Sequence, residues 1–234
     1  MRIGTLFLLL FVFPLMSFAE AIPYPRNQVE RPLTLPDNIG EVGIGIGYLQ
    51  WDGTSSDAIY PVLSLRYGVT DNLEFNLVGL KYRISGENKP VEMIIKGRMI
   101  GLGHSSINGT FLLSEIGAEG KQRLDSTFAI LYRIEDYYGY YSKNTNINDI
   151  RFSLGGLLSV TDRLALDFVG TYRKLSGFET SDAWLYKITV YYNITQNLDI
   201  LIEGAISDFS ENEDLRYLSD SFKRAYGLRL NWRF

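Results

Sequence analysis

Residues 184–207 read WLYKITVYYNITQNLDILIEGAIS. In the first half Trp184, Tyr186, Ile188, Val190 and Tyr192 fall on one side of a two-residue period, against Lys187, Thr189 and Asn193. In the second half Leu198, Ile200, Ile202 and Ile206 oppose Asp199, Glu203 and Ser207. Between them lies a short reversal, Ile194-Thr195-Gln196-Asn197-Leu198, of the kind that Asp and Asn side chains suit because they can bond nearby backbone groups. Successive strand side chains point to opposite faces. The stretch therefore reads as a hairpin with one apolar face and one polar face.

The same period runs through the chain from residue 39. Val42, Ile44, Ile46 and Tyr48 oppose Glu41, Gly43, Gly45 and Gly47; Ile59, Leu63, Leu65 and Tyr67 oppose Tyr60, Val62, Ser64 and Arg66. Val91, Met93, Ile95 and Met99 oppose Glu92, Lys96 and Arg98, and Phe128, Ile130, Tyr132 and Ile134 face away from Arg133. Further on, Phe152, Leu154 and Leu158 oppose Arg151, Ser153 and Ser159, and Leu164, Leu166, Phe168 and Tyr172 oppose Asp167, Thr171 and Arg173. Segments of about ten alternating residues are the strand signature of transmembrane barrels. A soluble sandwich alternates too, but the connections argue otherwise. Short turns of one kind recur at 69–73, 160–164 and 194–198, with longer polar connections at 52–57, 85–89, 177–181 and 207–221. Short turns at one end and long loops at the other is the outer-membrane layout. Tyr48, Tyr67, Tyr172, Trp184, Tyr192 and Trp232 lie near strand ends, where rings suit the bilayer interfaces.

Composition removes competing classes. With Cys 0 and His 1 the chain has neither disulfides nor the ligands of a zinc site. A net charge of −4 is not that of a nucleic-acid binder. Gly43, Gly45 and Gly47 lie within a strand with no helix after them, so they are no phosphate loop. No cofactor and no metal are expected.

The chain opens with Met1-Arg2 and the apolar run TLFLLLFVFPLM at 5–16, too short to span a bilayer as a helix. Small residues follow at the cleavage positions, so residues 1–21 read as a secretory signal peptide cut after Ala19 or Ala21. Residues 22–38 carry four of the seven prolines and read as an extended periplasmic segment leading into a barrel over 39–234.

The last residues, 222–234, are FKRAYGLRLNWRF, with Tyr226, Leu228, Leu230, Trp232 and the terminal Phe234 on one face. This resembles the assembly signal of Gram-negative outer-membrane barrels. The resemblance implies an all-β, antiparallel up-and-down transmembrane barrel in the cell outer membrane. It also implies outer-membrane lipids, lipopolysaccharide, the barrel-assembly machinery and periplasmic chaperones as partners, with a monomer as the default state.

Both termini then lie on the periplasmic side and the strand number is even. Turns near 70, 161 and 195, with 103–109 and 135–139 as two more, give twelve strands. If 124–146 is an outer loop, the number is ten. A change of phase at Val78-Gly79 suggests a bulge in the strand beginning at Leu73.

In this register the inward faces carry Arg66, Lys96, Arg98, Arg133, Arg151, Arg173, Lys187, Lys223, Arg229 and Arg233 against Glu41, Glu74, Glu92, Asp167, Asp199 and Glu203, with Glu115 and Glu119 of unfixed phase. An excess of base favours anions in an open pore. The same charges can instead pair into a structural network. A narrow channel for small polar or anionic solutes and a closed structural or adhesive barrel both stand. The acidic stretch at 207–221 reads as a solvated outer loop.

The only histidine lies in Gly103-His104-Ser105-Ser106-Ile107-Asn108-Gly109. This is similar to the His-x-Ser-Asn-Gly stretch of outer-membrane phospholipases, which implies His104 as base and Ser106 as nucleophile of a lipid hydrolase. Ile107 is an insertion relative to that pattern, no acid partner is identifiable, and turn chemistry accounts for the same residues.

Overall fold

The computed structural model describes residues 24–50, 57–85, 90–105, 109–141, 146–177, 181–209 and 222–234, with 100–105, 109–111 and 141 described by backbone alone. The leader assigned to 1–21 lies outside them. Twelve strands form one closed antiparallel barrel: β1 (Gly40–Gln50), β2 (Ala58–Thr70), β3 (Leu73–Asn76), β4 (Gly79–Arg83), β5 (Val91–Ser105), β6 (Gly109–Arg123), β7 (Phe128–Tyr141), β8 (Ile147–Ser159), β9 (Leu164–Ser176), β10 (Asp182–Asn193), β11 (Leu198–Ser207) and β12 (Arg224–Arg233). Each strand pairs with its sequence neighbours, and β1 pairs with β12 from Glu41↔Arg233 to Gln50↔Arg224. Closure follows from the solvent. In hydrocarbon an unpaired backbone group costs several kcal/mol, so a sheet that spans must leave no edge.

The twelve expected strands are present, but two are placed differently. Leu73–Ile84 is no bulged strand. Asn76 Oδ1 accepts the Val78 N–H at 3.2 Å, the chain reverses at Leu77-Val78, and Phe75 pairs with Leu80. This hairpin inverts the side of the connections that follow. The connection at 84–90, expected outside, lies at the end bearing both termini, and the 103–109 turn lies at the opposite end. Residues 135–139, expected to turn, run inside β7, paired with β6 and β8. The ten-strand alternative fails for the same reason, since 128–141 is a full strand. The end with both termini carries the connections at 71–72, 84–90, 124–127, 160–163 and 194–197, and is the periplasmic end by the outer-membrane layout. At 124–127 Asp125 accepts the Thr127 hydroxyl and the Thr127 and Phe128 N–H groups at 2.6–2.8 Å. Those bonds hold its carboxyl below the usual aspartate range, so the turn keeps them at neutral pH and loses them only in acid.

The barrel is inside-out relative to a soluble fold. Ile46, Leu63, Ile116, Leu154, Phe168, Ile188 and Ile202 are exposed on the outer face, Leu154 at 65%. The largest fully buried side chains include Arg173, Glu74, Asp149 and Asp199. An apolar exterior on this scale fits lipid, not water. Aromatic contacts cluster toward both ends of the belt: Tyr48 with Tyr226 and Tyr172 with Trp184 at one, Trp232 with Phe234 at the other.

Residues 24–36, expected to run extended below the barrel, fold into its periplasmic mouth. The prolines prevent helix and strand, but nothing prevents turns, and Val29 supplies an apolar anchor. It is fully buried in a cluster with Ala129, Leu131, Leu157, Ala165 and Val169 on the inner faces of β7, β8 and β9. Asn27 bonds the Ser126 carbonyl at 2.6 Å and accepts from Ser159 at 2.5 Å; Gln28 donates to Asn193 at 3.1 Å. Arg31 meets Asp199 at 2.5 and 3.2 Å, and its own carbonyl accepts from Lys121. Arg83 donates to Thr34 at 2.6 Å, and the Leu35 N–H reaches Glu74 at 2.8 Å. The segment is thus fixed to most of the circumference as a plug. Gly68 allows it to enter: a Cβ there would lie 1.8 Å from the Pro36 carbonyl oxygen. Gly68→Ala is expected to weaken docking of the plug by about 1–3 kcal/mol, as overpacking does. The check is trypsin cleavage after Arg26, which should quicken; an unchanged rate contradicts the packing argument.

Candidate functional site

Above the plug lies a cavity of about 420 Å³ inside the barrel. Tyr24, Gln28, Arg31, Pro32 and Leu33 of the plug form its floor. Its wall is ionised because the inward-facing alternate positions of almost every strand carry charge. Eight bases line it (Arg31, Arg66, Lys81, Arg98, Lys121, Arg133, Arg229 and Arg233) against five acids (Glu41, Glu74, Glu119, Asp167 and Asp199).

At the level of the floor the charges form a continuous chain. Asp199 holds Arg31 and Arg233; Arg233 reaches Glu41 at 2.9 Å; Glu41 meets Arg66 at 3.0 Å; Arg66 meets Glu74 at 2.7 Å. This chain crosses the β1–β12 seam, where Glu41 stands in register between Arg233 and Arg66. Midway up, Lys96 bridges Glu115 and Glu135, Arg98 takes the other Glu115 oxygen, and Arg133 approaches Glu119 at 3.2 Å. Lys187 meets Glu203 at 2.8 Å with Arg229 at 3.9 Å. Near the outer end Arg151 and Arg173 share Asp149 at 2.7 and 2.6 Å, and Phe209 lies against Arg173 with 4.5 Å from guanidinium carbon to ring centre. Pairing is incomplete around the cavity. Among the described residues Asp167 Oδ1, Arg229 Nε and Asn231 Oδ1 are buried with no hydrogen-bond partner. Lys81 has no hydrogen bond among the described residues, only a 3.7 Å approach to Glu74.

The structure thus places Arg66, Lys96, Arg98, Arg133, Arg151, Asp167, Arg173, Lys187, Asp199, Glu203, Arg229 and Arg233 on the inner wall, with Glu41, Glu74 and Glu92, and turns Glu115 and Glu119 inward as well. Lys223 stands outside β12 and is exposed. Lys81, Arg83, Lys121, Glu135, Asp149 and the plug's Arg31 complete the network and were missed. Lys81 and Arg83 were hidden by the unread hairpin, and Arg31 by a proline-rich segment with no period. Tyr226, Leu228, Leu230 and Phe234 are exposed on the outer face, with Trp232 half-buried. His104 pairs with Thr110 by its backbone at the outer end of β5, and Ser106 lies outside the described residues. The 210–221 part of the acidic loop also lies outside them.

No protein family and no curated protein matches the chain. Solved structures do. The NanC porin superposes with a TM-score of 0.60 at 14% identity, over 82% of this chain and 98% of that one. OmpT of Vibrio cholerae covers 84% of this chain and 96% of its own at 9% identity and a TM-score of 0.48. An anion-selective porin from Comamonas acidovorans covers 84% and 98% at 8% identity and a TM-score of 0.42. At these identities the likeness to NanC is one of fold. With the closed twelve-strand wall and its apolar belt, it makes the chain an integral β-barrel of the outer-membrane kind.

Proposed function

We propose that the barrel is a narrow channel for small anionic solutes, closed in this state by residues 24–36. The observation that carries the reading is the excess of base around the lumen cavity, eight against five. Low-dielectric walls focus the field of such an imbalance and raise the local concentration of anions. Arg229 Nε and Lys81 supply donors that no carboxylate fully occupies. The NanC likeness supports the reading only at the level of a porin fold. A second reading, a structural barrel without transport, is favoured by the many anchors of the plug. The two separate in planar bilayers. Under a KCl gradient the channel reading expects a reversal potential of the anion-selective sign, and cation selectivity would falsify it. No conductance, even after the plug is released, would favour the closed barrel. In the bilayer the exposed belt and the terminal strand face lipid, and the same strand is the segment we assign to recognition by the assembly machinery.

A further inference from the structure

Among the described residues the backbone pairing of the wall is incomplete in its outer half. β3 and β4 have 4 and 5 residues, whereas their neighbours β2 and β5 have 13 and 15. β2 pairs with the hairpin only from Arg66 to Thr70, with one more bond from the Leu77 N–H to the Leu65 carbonyl. β5 pairs with it from Ile94 to Arg98, with one more bond at each end, from the Ile84 N–H to the Met93 carbonyl and from the Met99 N–H to the Val78 carbonyl. Beyond the hairpin tip, β2 and β5 have no pairing with each other among the described residues. Across the hairpin they stand three inter-strand spacings apart, about 14 Å at ~4.8 Å each.

The sequence agrees that this edge is bare. The Gly68 N–H bonds the Ile39 carbonyl just before β1, and the Leu65 carbonyl faces the hairpin, so by ladder alternation Ile59, Pro61 and Leu63 turn their backbone groups to the gap. Proline donates no hydrogen bond and is confined to strand edges. Pro61, in mid-strand, has its missing N–H on the side without a partner. On the other rim a bulge between Met99 and Gly101 begins where β5 loses β4, a device that sheet edges carry.

The rim is apolar outside: Ile59, Leu63, Leu77, Val78 and Met99 are all exposed. Inside, at the sill, the cavity wall is Ser64, Arg66, Asn76, Lys81 and Arg98. Irregular backbone at membrane depth is tolerated where it borders a wet cavity. An apolar rim joined to a cationic sill matches one chemistry, a single acyl chain ending in an anion. We infer that the gap between β2 and β5 is a lateral window that holds an anionic single-chain amphiphile, its head on Lys81 inside the lumen and its tail leaving into the bilayer. The inference rests on the basic lumen of the proposed channel, not on passage through its floor.

The test is photo-crosslinking of the full chain, in phosphatidylcholine vesicles, with palmitate carrying a mid-chain diazirine. Adducts are expected on Ile59, Leu63, Leu77 and Met99, reduced about fivefold by Lys81→Gln, as for loss of a partly exposed ion pair. Lys81→Arg restores them, and the methyl ester of the probe labels as weakly as Lys81→Gln. Adducts spread evenly round the belt, with Ile188 and Ile202 labelled as often as Leu63, would overturn the inference. So would rim labelling indifferent to the head charge, or a dimer joined through the β2 edge with no rim adducts. If Lys81→Gln does not fold, the acid and its ester on the native chain still decide. Anion selectivity without rim adducts removes the window alone; rim adducts without anion selectivity remove the channel reading alone.

Discussion

Replacing Arg31 by alanine is expected to raise the open probability of the barrel about a hundredfold. Arg31 makes the plug's one ion pair with the wall among the described residues, meeting Asp199 at 2.5 and 3.2 Å, with further bonds to Asn193 at 3.1 Å and the Pro25 carbonyl at 2.8 Å. Both partners are buried, at 6% and 1% exposure. Removing one member of a buried pair costs about 3–5 kcal/mol, because the other charge stays buried. Here Arg233 still reaches Asp199, so the lower bound applies. Every 1.4 kcal/mol is tenfold, so 3 kcal/mol moves a docked–undocked equilibrium by about two decades. Single-channel recording on native chain and Arg31→Ala measures it. Conductance that does not change would mean that the barrier to ions lies elsewhere in the lumen.

The second large effect is expected at the seam. Glu41→Ala should cost about 3 kcal/mol, since Arg66 and Arg233 then face each other across β1 without the carboxylate between them. Each keeps one other acid, Glu74 or Asp199, which holds the loss near the bottom of the range. With an m-value of about 2–3 kcal/mol per M, the urea midpoint should fall by about 1 M. Heat-modifiable gel migration across a urea series reads the folded fraction. Glu203→Gln is the comparison. Its pair with Lys187 is 30% and 40% exposed, and half-exposed pairs contribute about 0–1 kcal/mol. Equal losses in the two variants would contradict a special role for the seam.

The fold was legible because its rule is local. Alternation at 184–207 states which side faces lipid, and a closed wall follows from the absence of water in hydrocarbon. The strand number, by contrast, came out right through two errors that compensate. Leu77 and Val78 are apolar enough to read as strand, so in the sequence the reversal between Asn76 and Gly79 reads as a bulge. Glu135, Asp136 and Gly139 are polar enough to read as turn, though Glu135 faces the lumen, where polarity is required. The Asn76 side chain that closes the hairpin was the available signal. The plug was not legible. Its residues have no period, and their bonds run to positions such as Asn193 and Asp199, more than 160 residues away. The wall charges could be assigned to a face from alternation alone, but their pairing depends on register across strands. Glu135 with Lys96 is a pairing of that kind, joining β7 to β5 across β6.

The short hairpin also sets how the cylinder answers to force. A full ring of backbone bonds behaves as a hoop and resists widening, since no strand can separate without breaking its ladder. Among the described residues the hoop is complete only in the periplasmic half; the outer half is a clip whose ends are β2 and β5. With no ladder between β2 and β5 to break among the described residues, the mouth is the part of the wall least held by backbone bonds, and the lateral pressure of the outer leaflet bears on it most directly.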